Sequence, residues 1–352
     1  MKRLASLDYL RGLAAFGIMI YHYLSWTLGR YSADTFLGRL GVYGVSIFYV
    51  LSGLTLYYVY FNKMQPNLSE VVDFFKKRVL RIFPLLWLVT FTAIAIQGSM
   101  PNLGDLALNL TGLFGFIKWD TYYSTGIWSI GNELVFYVFF PFFVLFSKSN
   151  RWLMSMLSAV IFGLFVYFAF FKLDVNTALS DQWRDYINPL NQVFLFLGGY
   201  LMGLFLDKVK VQKVVVYTSL ILGVVIFMFY PVHGDTIHLV TGVNRLIFTL
   251  CCLLISFSFF KIEVSLPNFV HKPLTILGEA SYSVYLLHPV VYKLTGLLFV
   301  ASAENLFHTP ESVRLVTSVI LTLVGGYFVY QYFEKYFMRL GRKVKSDPVV
   351  IK

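Results

Sequence analysis

Two polar side chains in the first hydrophobic segment, Arg11 and His22, are the residues most suited to chemistry. On an α-helix their spacing corresponds to about three turns, which places both side chains on one face roughly 16 Å apart along the axis. A cation and a titratable imidazole are costly to bury in a membrane, and such residues indicate a functional site by default. The pair therefore marks a candidate functional site, and the residues around it must indicate which chemistry it serves.

A carboxylate at membrane depth, Glu133, is the expected partner of this pair. It lies near the start of the fourth hydrophobic segment, which the topology below directs inward from the outer face. A buried carboxylate needs a partner, and we expect Glu133 to meet His22 at a similar depth. The alternative is a purely structural ion pair that joins the first and fourth segments.

Four cations within the six residues 76–81 lie at the entrance of the third hydrophobic segment. Positive charge at the cytoplasmic end of a span is explained by membrane topology alone. The functional interpretation is a phosphate clamp, because arginine binds phosphate oxygens through two parallel hydrogen bonds. Arg78 and Arg81 are the candidates for that role.

Further polar side chains lie inside hydrophobic segments. Ser52 stands beside Gly53 in the second segment, where small residues usually permit close helix packing. Ser281, Tyr285 and His288 share one face of the ninth segment at helical spacing. A lone histidine there is more often a satisfied core residue than a functional one. No cluster has the ligand spacing of a metal site, so none is predicted.

The composition identifies the elements that must position these residues as membrane helices. Hydrophobic residues make up 58% of the 352, charged residues only 13%, and the mean hydropathy is +0.69. A soluble domain has about 25% charged residues. The apolar runs are continuous instead of alternating, which argues against a porin-like barrel. We therefore predict an all-α polytopic membrane protein with about ten spans, at 8–28, 41–61, 82–98, 128–147, 152–171, 190–206, 213–231, 240–260, 281–301 and 313–337.

The distribution of lysine and arginine predicts the orientation of these spans. Segment 62–81 contains five such residues and 99–127 only one, while 207–213 contains three and 232–239 none. Cytoplasmic loops carry this excess, so both termini are expected in the cytoplasm. The net charge of +11 is then mostly a topology signal that also attracts anionic lipid, and nucleic acid is not an expected partner.

We predict one integral-membrane domain over residues 1–340, followed by a short basic cytoplasmic tail at 341–352. The first span follows the N-terminus directly without a small-residue cleavage site, so we interpret it as a retained helix. Two outward loops are expected, at 99–127 and 172–189. The first contains an apolar stretch at 106–116 that is long enough to lie on or dip into the membrane but too short to span it.

These segments together resemble the membrane acyltransferase-3 family, whose members acylate bacterial surface glycans and some small molecules. The resemblance covers almost the whole chain, and two departures from the family pattern occur, at Gly131 and Tyr336. We expect a stand-alone form without the esterase-like domain that some relatives carry. The motifs that match, in order, are Asp8-x-Leu10-Arg11-Gly12 with the Arg11/His22 pair, Gly44-Val45 to Leu51-Ser52-Gly53, Arg78-x-x-Arg81-Ile82-x-Pro84, Trp128-Ser129 to Glu133-x-x-Phe136-Tyr137, and Ser281-Tyr282-x-x-Tyr285-Leu286-x-His288-Pro289.

The resemblance implies an O-acyltransferase, by default an O-acetyltransferase, in the bacterial cytoplasmic membrane. Acyl-CoA would be a co-substrate and not a permanently bound cofactor. A cell-surface polysaccharide or its lipid-linked precursor would be the acceptor. His22 would act as general base with Glu133 orienting it, either in direct transfer or after transient acylation of His22 or Ser52. Acyl-CoA would be bound by Arg11, Arg78 and Arg81, and the substrate pocket would be lined by Ser52, Trp128, Tyr137, Ser281, Tyr285 and His288.

Other function classes fit part of the pattern. A transporter or flippase of a glycan or acyl group would also have ten spans, intramembrane charges and helices interrupted by glycine. The two halves show no inverted repeat, however, and the basic entrance suits a phosphate-bearing donor. An acyltransferase for a small, macrolide-like acceptor is a further alternative. The sequence predicts no oligomeric state.

Overall fold

A computed structural model describes residues 4–65, 67–263, 265–303 and 311–341 of the chain. The regular structure in these ranges is entirely helical, which confirms the predicted all-α class. Helices α7 and α15 continue as π-helical turns, at Phe168–Lys172 and Val329–Glu334. The helices are α1 (Ala5–Leu28), α2 (Phe36–Tyr60), α3 (Leu68–Gln97), α4 (Leu103–Thr111), α5 (Phe114–Ile117), α6 (Ile127–Ser149), α7 (Arg151–Tyr167), α8 (Trp183–Tyr186), α9 (Pro189–Leu206), α10 (Lys213–Phe229), α11 (Ile237–Val240), α12 (Gly242–Lys261), α13 (Asn268–Glu279), α14 (Ser281–Ala303), α15 (Glu311–Phe328) and α16 (Lys335–Leu340).

Seven helical stretches in the described residues are long and apolar enough to cross a membrane, so the protein is a multi-pass membrane protein. Three further predicted spans coincide with α1, α10 and α14. Helix α10 has 17 residues, which is short for a span. Helix α1 has 24 residues, but polar side chains such as Arg11 and His22 lower its mean hydropathy. The seven stretches are Phe36–Tyr60, Leu68–Gln97, Ile127–Ser149, Arg151–Lys172, Trp183–Leu206, Gly242–Lys261 and Glu311–Leu340.

The connections between helices gather at two ends of the bundle. At one, which we call the basic end, the ammonium groups of Lys148 and Lys261 donate to backbone carbonyls in the segments that follow α2 and α9. At the other, the loop end, Ala33 donates its N–H to the carbonyl of Gly234, and the indole of Trp119 donates to the carbonyl of Arg184. The helices therefore run between a lysine-rich surface and a surface of interlocked loops.

Helices α2 and α9 cross with their backbones in contact. A Cβ at Gly53 would lie 1.9 Å from the carbonyl oxygen of Phe196, and a Cβ at Gly199 would lie 1.9 Å from that of Val50. Only glycine permits this approach, which agrees with the packing interpretation of the small residues around Ser52. The crossing fixes the height of α2, and with it Val45 and Ser52, relative to the rest of the bundle.

Helix α1 is fixed near the basic end by α13. A Cβ at Gly12 would lie 2.7 Å from the backbone nitrogen of Gly278, and the hydroxyl of Tyr9 is hydrogen-bonded to Nδ1 of His271 at 2.5 Å. The remainder of α1 packs against α2 and α14. These contacts set the rotation of α1, so that Arg11 and His22 both point toward the interior formed with α2 and α14.

The apolar stretch at 106–116 lies in two short helices, α4 and α5, joined at Gly112 in the left-handed region with φ of +77°. Helix α5 packs against α6, and Phe114 is fully buried. The indole of Trp87 on α3 donates to the carbonyl of Leu110. The stretch is thus docked on the sides of α3 and α6, where it covers the first turns of α6.

Candidate active site

The imidazole of His22 is hydrogen-bonded to a second imidazole, that of His288 on α14. The distance from Nδ1 of His22 to Nε2 of His288 is 2.9 Å, and the two rings are nearly parallel. The His22 ring also stacks on Trp26, with centroids 5.0 Å apart and planes 9° from parallel. The prediction that Glu133 would contact His22 is wrong, since His288 occupies the position of the partner.

His288 is itself held by a backbone carbonyl that a proline has left free. Its Nδ1 lies 2.6 Å from the carbonyl oxygen of Tyr285. In a regular helix that carbonyl would accept from the N–H four residues later, but position 289 is proline, which has no N–H. In the His-Pro pair inside α14, the proline therefore leaves the Tyr285 carbonyl free, and the histidine provides the side chain that donates to it.

This chain of contacts fixes the tautomers of both rings. A carbonyl only accepts, so Nδ1 of His288 carries a proton and donates to Tyr285. Nε2 of the neutral His288 is then an acceptor, and Nδ1 of His22 must be the donor to it. The remaining ring nitrogen of His22, Nε2, then carries a lone pair, which has no hydrogen-bond partner among the residues that the structure describes. His22 is thereby prepared to accept a proton at Nε2.

Glu133 lies in a different arrangement, on α6. Its Oε1 accepts hydrogen bonds from Oγ of Ser52 at 2.7 Å and from the hydroxyl of Tyr137 at 2.5 Å. We expected Glu133 to contact His22 because the predicted topology placed both residues in the outer half of the membrane. The helices α1 and α6 are separated by α2, however, and Glu133 faces the arginines instead.

These groups line a cavity between α1, α2, α3, α6 and α14 that we call the arginine cavity, with an empty volume of about 660 Å³. Arg11 enters it while its Nη2 donates to Oγ1 of Thr55 at 3.0 Å. Two cations and one carboxylate give the cavity an excess positive charge. The predicted site residues that line it are Arg11, Ser52, Arg81, Glu133, Tyr137, Ser281 and Tyr285.

Arg78 is placed outside the lining of the arginine cavity. Its Nη2 donates to the hydroxyl of Tyr60 at 3.1 Å, and its guanidinium lies over the rings of Tyr60, Phe74 and Tyr137 at 5.4, 5.8 and 5.7 Å. Its Nε is buried and has no hydrogen-bond partner within the described ranges. The role of Arg78 in binding a phosphate stays a prediction, and its observed contacts are aromatic.

A second, larger cavity opens at the loop end, and we call it the loop cavity. It has an empty volume of about 1690 Å³ and is lined by His22, Trp26 and residues of the loop-end segments. Trp128, one of the predicted pocket residues, lies here and not in the arginine cavity. The walls are rich in aromatic rings, namely Tyr21, Trp26, Tyr31, Tyr122, Trp128, Trp183, Tyr186 and Tyr285.

The two cavities share two lining side chains, Val45 of α2 and Tyr285 of α14. The hydroxyl of Tyr285 lies 2.8 Å from Oγ of Ser129, which donates in turn to the carbonyl of Gly126. The sequence assigned no role to Val45, Ser129 or Pro289, although all three lie in the matched motifs. For Pro289 the signal was available, because a His-Pro pair within a span predicts a free carbonyl one turn earlier.

Metal chemistry has no candidate centre in the ranges described, where no three His, Cys, Asp or Glu side chains are grouped as ligands. The side chains that come together are instead a neutral imidazole base, arginines and hydroxyls. Such a set can accept a proton from a hydroxyl and bind an anionic donor.

Comparison with known proteins agrees with that chemistry. The model of the acyltransferase domain family Acyl_transf_3 matches residues 4–331. The chain is similar to the O-acetyltransferase OatA of Staphylococcus aureus strain NCTC 8325 and to that of strain COL, with 23% identity over 376 residues in each case. Those alignments cover 97% of this chain, which spans 58% of the length of these relatives. Because the family match covers nearly the whole chain, the protein belongs to the acyltransferase-3 family.

Proposed function

We propose that this protein is a membrane O-acetyltransferase that moves an acetyl group from cytoplasmic acetyl-CoA to a hydroxyl of a cell-surface glycan or its lipid-linked precursor. The observation that carries the proposal is the free Nε2 of His22, held beside the loop cavity by the bonds through His288 to the Tyr285 carbonyl. Membership of the acyltransferase family and the naming of the relatives as O-acetyltransferases support the reaction type.

The arginine cavity is the proposed binding site for the thioester end of the donor. Its positive charge suits the phosphate-bearing coenzyme, which would approach from the basic end past Arg81. There Oε1 of Glu133 accepts from two hydroxyl donors, those of Ser52 and Tyr137. We assign Glu133 the role of holding Ser52 and Tyr137 in place beneath the thioester.

The loop cavity is the proposed binding site for the acceptor. Its aromatic walls suit the apolar faces of sugar rings, and Trp26 and Trp128 lie on the lining together with His22. Polar groups such as Ser180 and Thr236 offer hydrogen bonds to sugar hydroxyls. In the bacterial cytoplasmic membrane, with lysine-rich segments inside, this cavity would face the exported or lipid-linked glycan.

The transfer step uses the two cavities together. Nε2 of His22 accepts the proton of the acceptor hydroxyl while the hydroxyl oxygen attacks the thioester carbonyl carbon. The carbon–sulfur bond breaks, the new ester remains on the acceptor, and the coenzyme leaves as a thiolate. The His22 imidazolium then returns the proton to that sulfur, which restores both the neutral base and the free thiol.

The test uses inverted membrane vesicles from an expressing strain, which contain the natural acceptor and expose the basic end to added radiolabelled acetyl-CoA. We expect His22→Asn to lower label incorporation into glycan by at least about 10²-fold, the usual contribution of general-base catalysis. His233→Asn, an exposed histidine of the loop end, is the matched control and should behave as the unsubstituted protein. Unchanged transfer in the His22 variant would show that His22 is not the general base. Label trapped on the protein in the absence of acceptor would indicate an acyl-enzyme instead of direct transfer.

A further inference from the structure

The boundary between the two cavities consists of few side chains, and this has a consequence for the acyl group. Val45 and Tyr285 are the lining residues that the arginine cavity and the loop cavity have in common. Glu133 and the two arginines of the arginine cavity line only that cavity, whereas His22 lines only the loop cavity. Resting on the function proposed above, we propose that Val45 and Tyr285 form the passage that selects short acyl groups.

The order of atoms in the donor explains why the acyl group must meet this passage. The coenzyme phosphates follow the pantetheine arm, the sulfur and the carbonyl carbon, so the acyl group is the leading end of a donor that enters past Arg81. For the carbonyl carbon to reach a hydroxyl at Nε2 of His22, the acyl group must already lie between Val45 and Tyr285 or beyond them. Each additional methylene must then fit between these two side chains.

The passage has a fixed width because both side chains are held. Oγ of Ser129 uses its proton to donate to the carbonyl of Gly126, so the hydroxyl of Tyr285 is the donor to Oγ at 2.8 Å. The ring of Tyr285 also packs on Phe48, with centroids 5.7 Å apart. Val45 is 6% exposed and β-branched, which leaves it one preferred rotamer in a helix. A longer acyl group therefore cannot widen the passage by a simple side-chain rotation.

Replacing Val45 by alanine tests the passage without touching a polar group. The variant loses two methyl groups at the boundary, while the His22 contacts and the arginines are unchanged. In apolar pockets one methylene commonly changes selectivity by about 10- to 200-fold. We expect Val45→Ala to raise the ratio of propionyl to acetyl transfer, and of butyryl to acetyl transfer, by about tenfold or more. Val45→Ile should lower both ratios.

The experiment measures label incorporated from radiolabelled acetyl-, propionyl- and butyryl-CoA in the inverted vesicles described above, normalised to the amount of protein. Val50→Ala is the matched control, because Val50 is a fully buried valine of the same helix and lines neither cavity. Its acyl ratios should equal those of the unsubstituted protein. Ratios, unlike rates, do not change when part of a variant preparation is unfolded.

Opposite changes of the ratios in Val45→Ala and Val45→Ile, with none in Val50→Ala, would support the passage. Ratios that are the same in all three variants, while acetyl transfer persists, would overturn it and leave the proposed function intact. A native protein that transfers no acyl group from any of the three donors would overturn both.

Discussion

At the scale of single residues, the proposed base is oriented by neutral groups. His22 donates to His288, which donates to the carbonyl of Tyr285. Many enzymes place a carboxylate at this point, where it fixes the tautomer and stabilises the imidazolium. Here a neutral imidazole and a peptide carbonyl fix the tautomer of His22. The carboxylate of Glu133 is hydrogen-bonded by hydroxyls elsewhere. The geometry of the base therefore depends on His288.

Substitution of His288 tests this dependence. We expect His288→Ala to lower kcat for acetyl transfer by about tenfold or more, because His22 loses the acceptor that fixes its tautomer, with little change in KM for acetyl-CoA. His288→Gln keeps an acceptor oxygen on a side chain of similar length, and it should recover part of the loss. Equal activity of the two variants would show that His288 acts only through packing and not through its hydrogen bond to His22.

Arg81 is the residue through which donor binding is best tested. It lines the arginine cavity, and a planar guanidinium can bind two phosphate oxygens whereas an ammonium binds as a point charge. We expect Arg81→Lys to raise KM for acetyl-CoA by about tenfold and Arg81→Ala by more, with smaller changes in kcat. Arg151→Ala, an exposed arginine at the start of α7, is the control. Equal KM values for the Arg81 and Arg151 variants would exclude Arg81 from donor binding.

At the scale of helices, two local sequence features position the site. The glycine pair at the crossing of α2 and α9 sets the height of Val45 and Ser52. Pro289 removes one helical hydrogen bond from α14 and thereby frees the carbonyl that His288 uses. Both features lie away from the reacting atoms, yet each determines where a reacting or lining group is placed.

The helix crossing predicts an effect on stability that can be measured without an assay of activity. A Cβ at Gly53 would meet backbone atoms of α9, which cannot move aside as a flexible side chain would. Overpacking of this kind typically lowers the free energy of unfolding by about 1–3 kcal/mol or more. We therefore expect Gly53→Ala to lower the midpoint temperature of thermal unfolding in detergent. Gly163→Ala, where a Cβ would meet open space, should leave it unchanged or slightly higher. Equal midpoint temperatures for Gly53→Ala and Gly163→Ala would show that α2 and α9 can move apart without loss of stability.

At the scale of the whole molecule, the site joins a cavity lined by helices to a cavity at the loop end. The arginine cavity is built from α1, α2, α3, α6 and α14, and the loop cavity is lined largely by the loop-end segments. On the function proposed above, a donor from the cytoplasm and an acceptor from outside would meet at the boundary between the two cavities, and neither would cross the membrane. This arrangement requires the lysine-rich end to be cytoplasmic.

Cysteine labelling in intact cells tests that orientation. The native Cys251 and Cys252 are 1% and 0% exposed, so they should contribute little background. We expect Asn176→Cys, in an exposed segment of the loop end, to react with a membrane-impermeant maleimide in intact cells. Lys208→Cys, at the basic end, should react only after permeabilisation. The reverse pattern would invert the assignment of donor and acceptor sides.

Helix class and the positions of most spans were predictable, because apolar length and composition are properties of a single segment. The shared face of Arg11 and His22 was predictable for the same reason, since it follows from helical periodicity. The partner of His22 was not, because it depends on which helix lies beside α1 and at what height. We expected Glu133 as that partner on the ground of depth, whereas the packing around α1 places His288 beside His22. The division into two cavities likewise depends on segments distant in sequence, because Val45 and Tyr285 line both cavities.

The narrow passage between Val45 and Tyr285 also bears on the energy supply of the cell. A membrane enzyme that admits water from both faces could become a leak through which protons run down their gradient. In this protein two apolar or hydroxyl-anchored side chains stand where such a column of water would have to be continuous. The feature proposed to select a short acyl group would thus also allow group transfer across the bilayer while the bilayer keeps its ionic resistance.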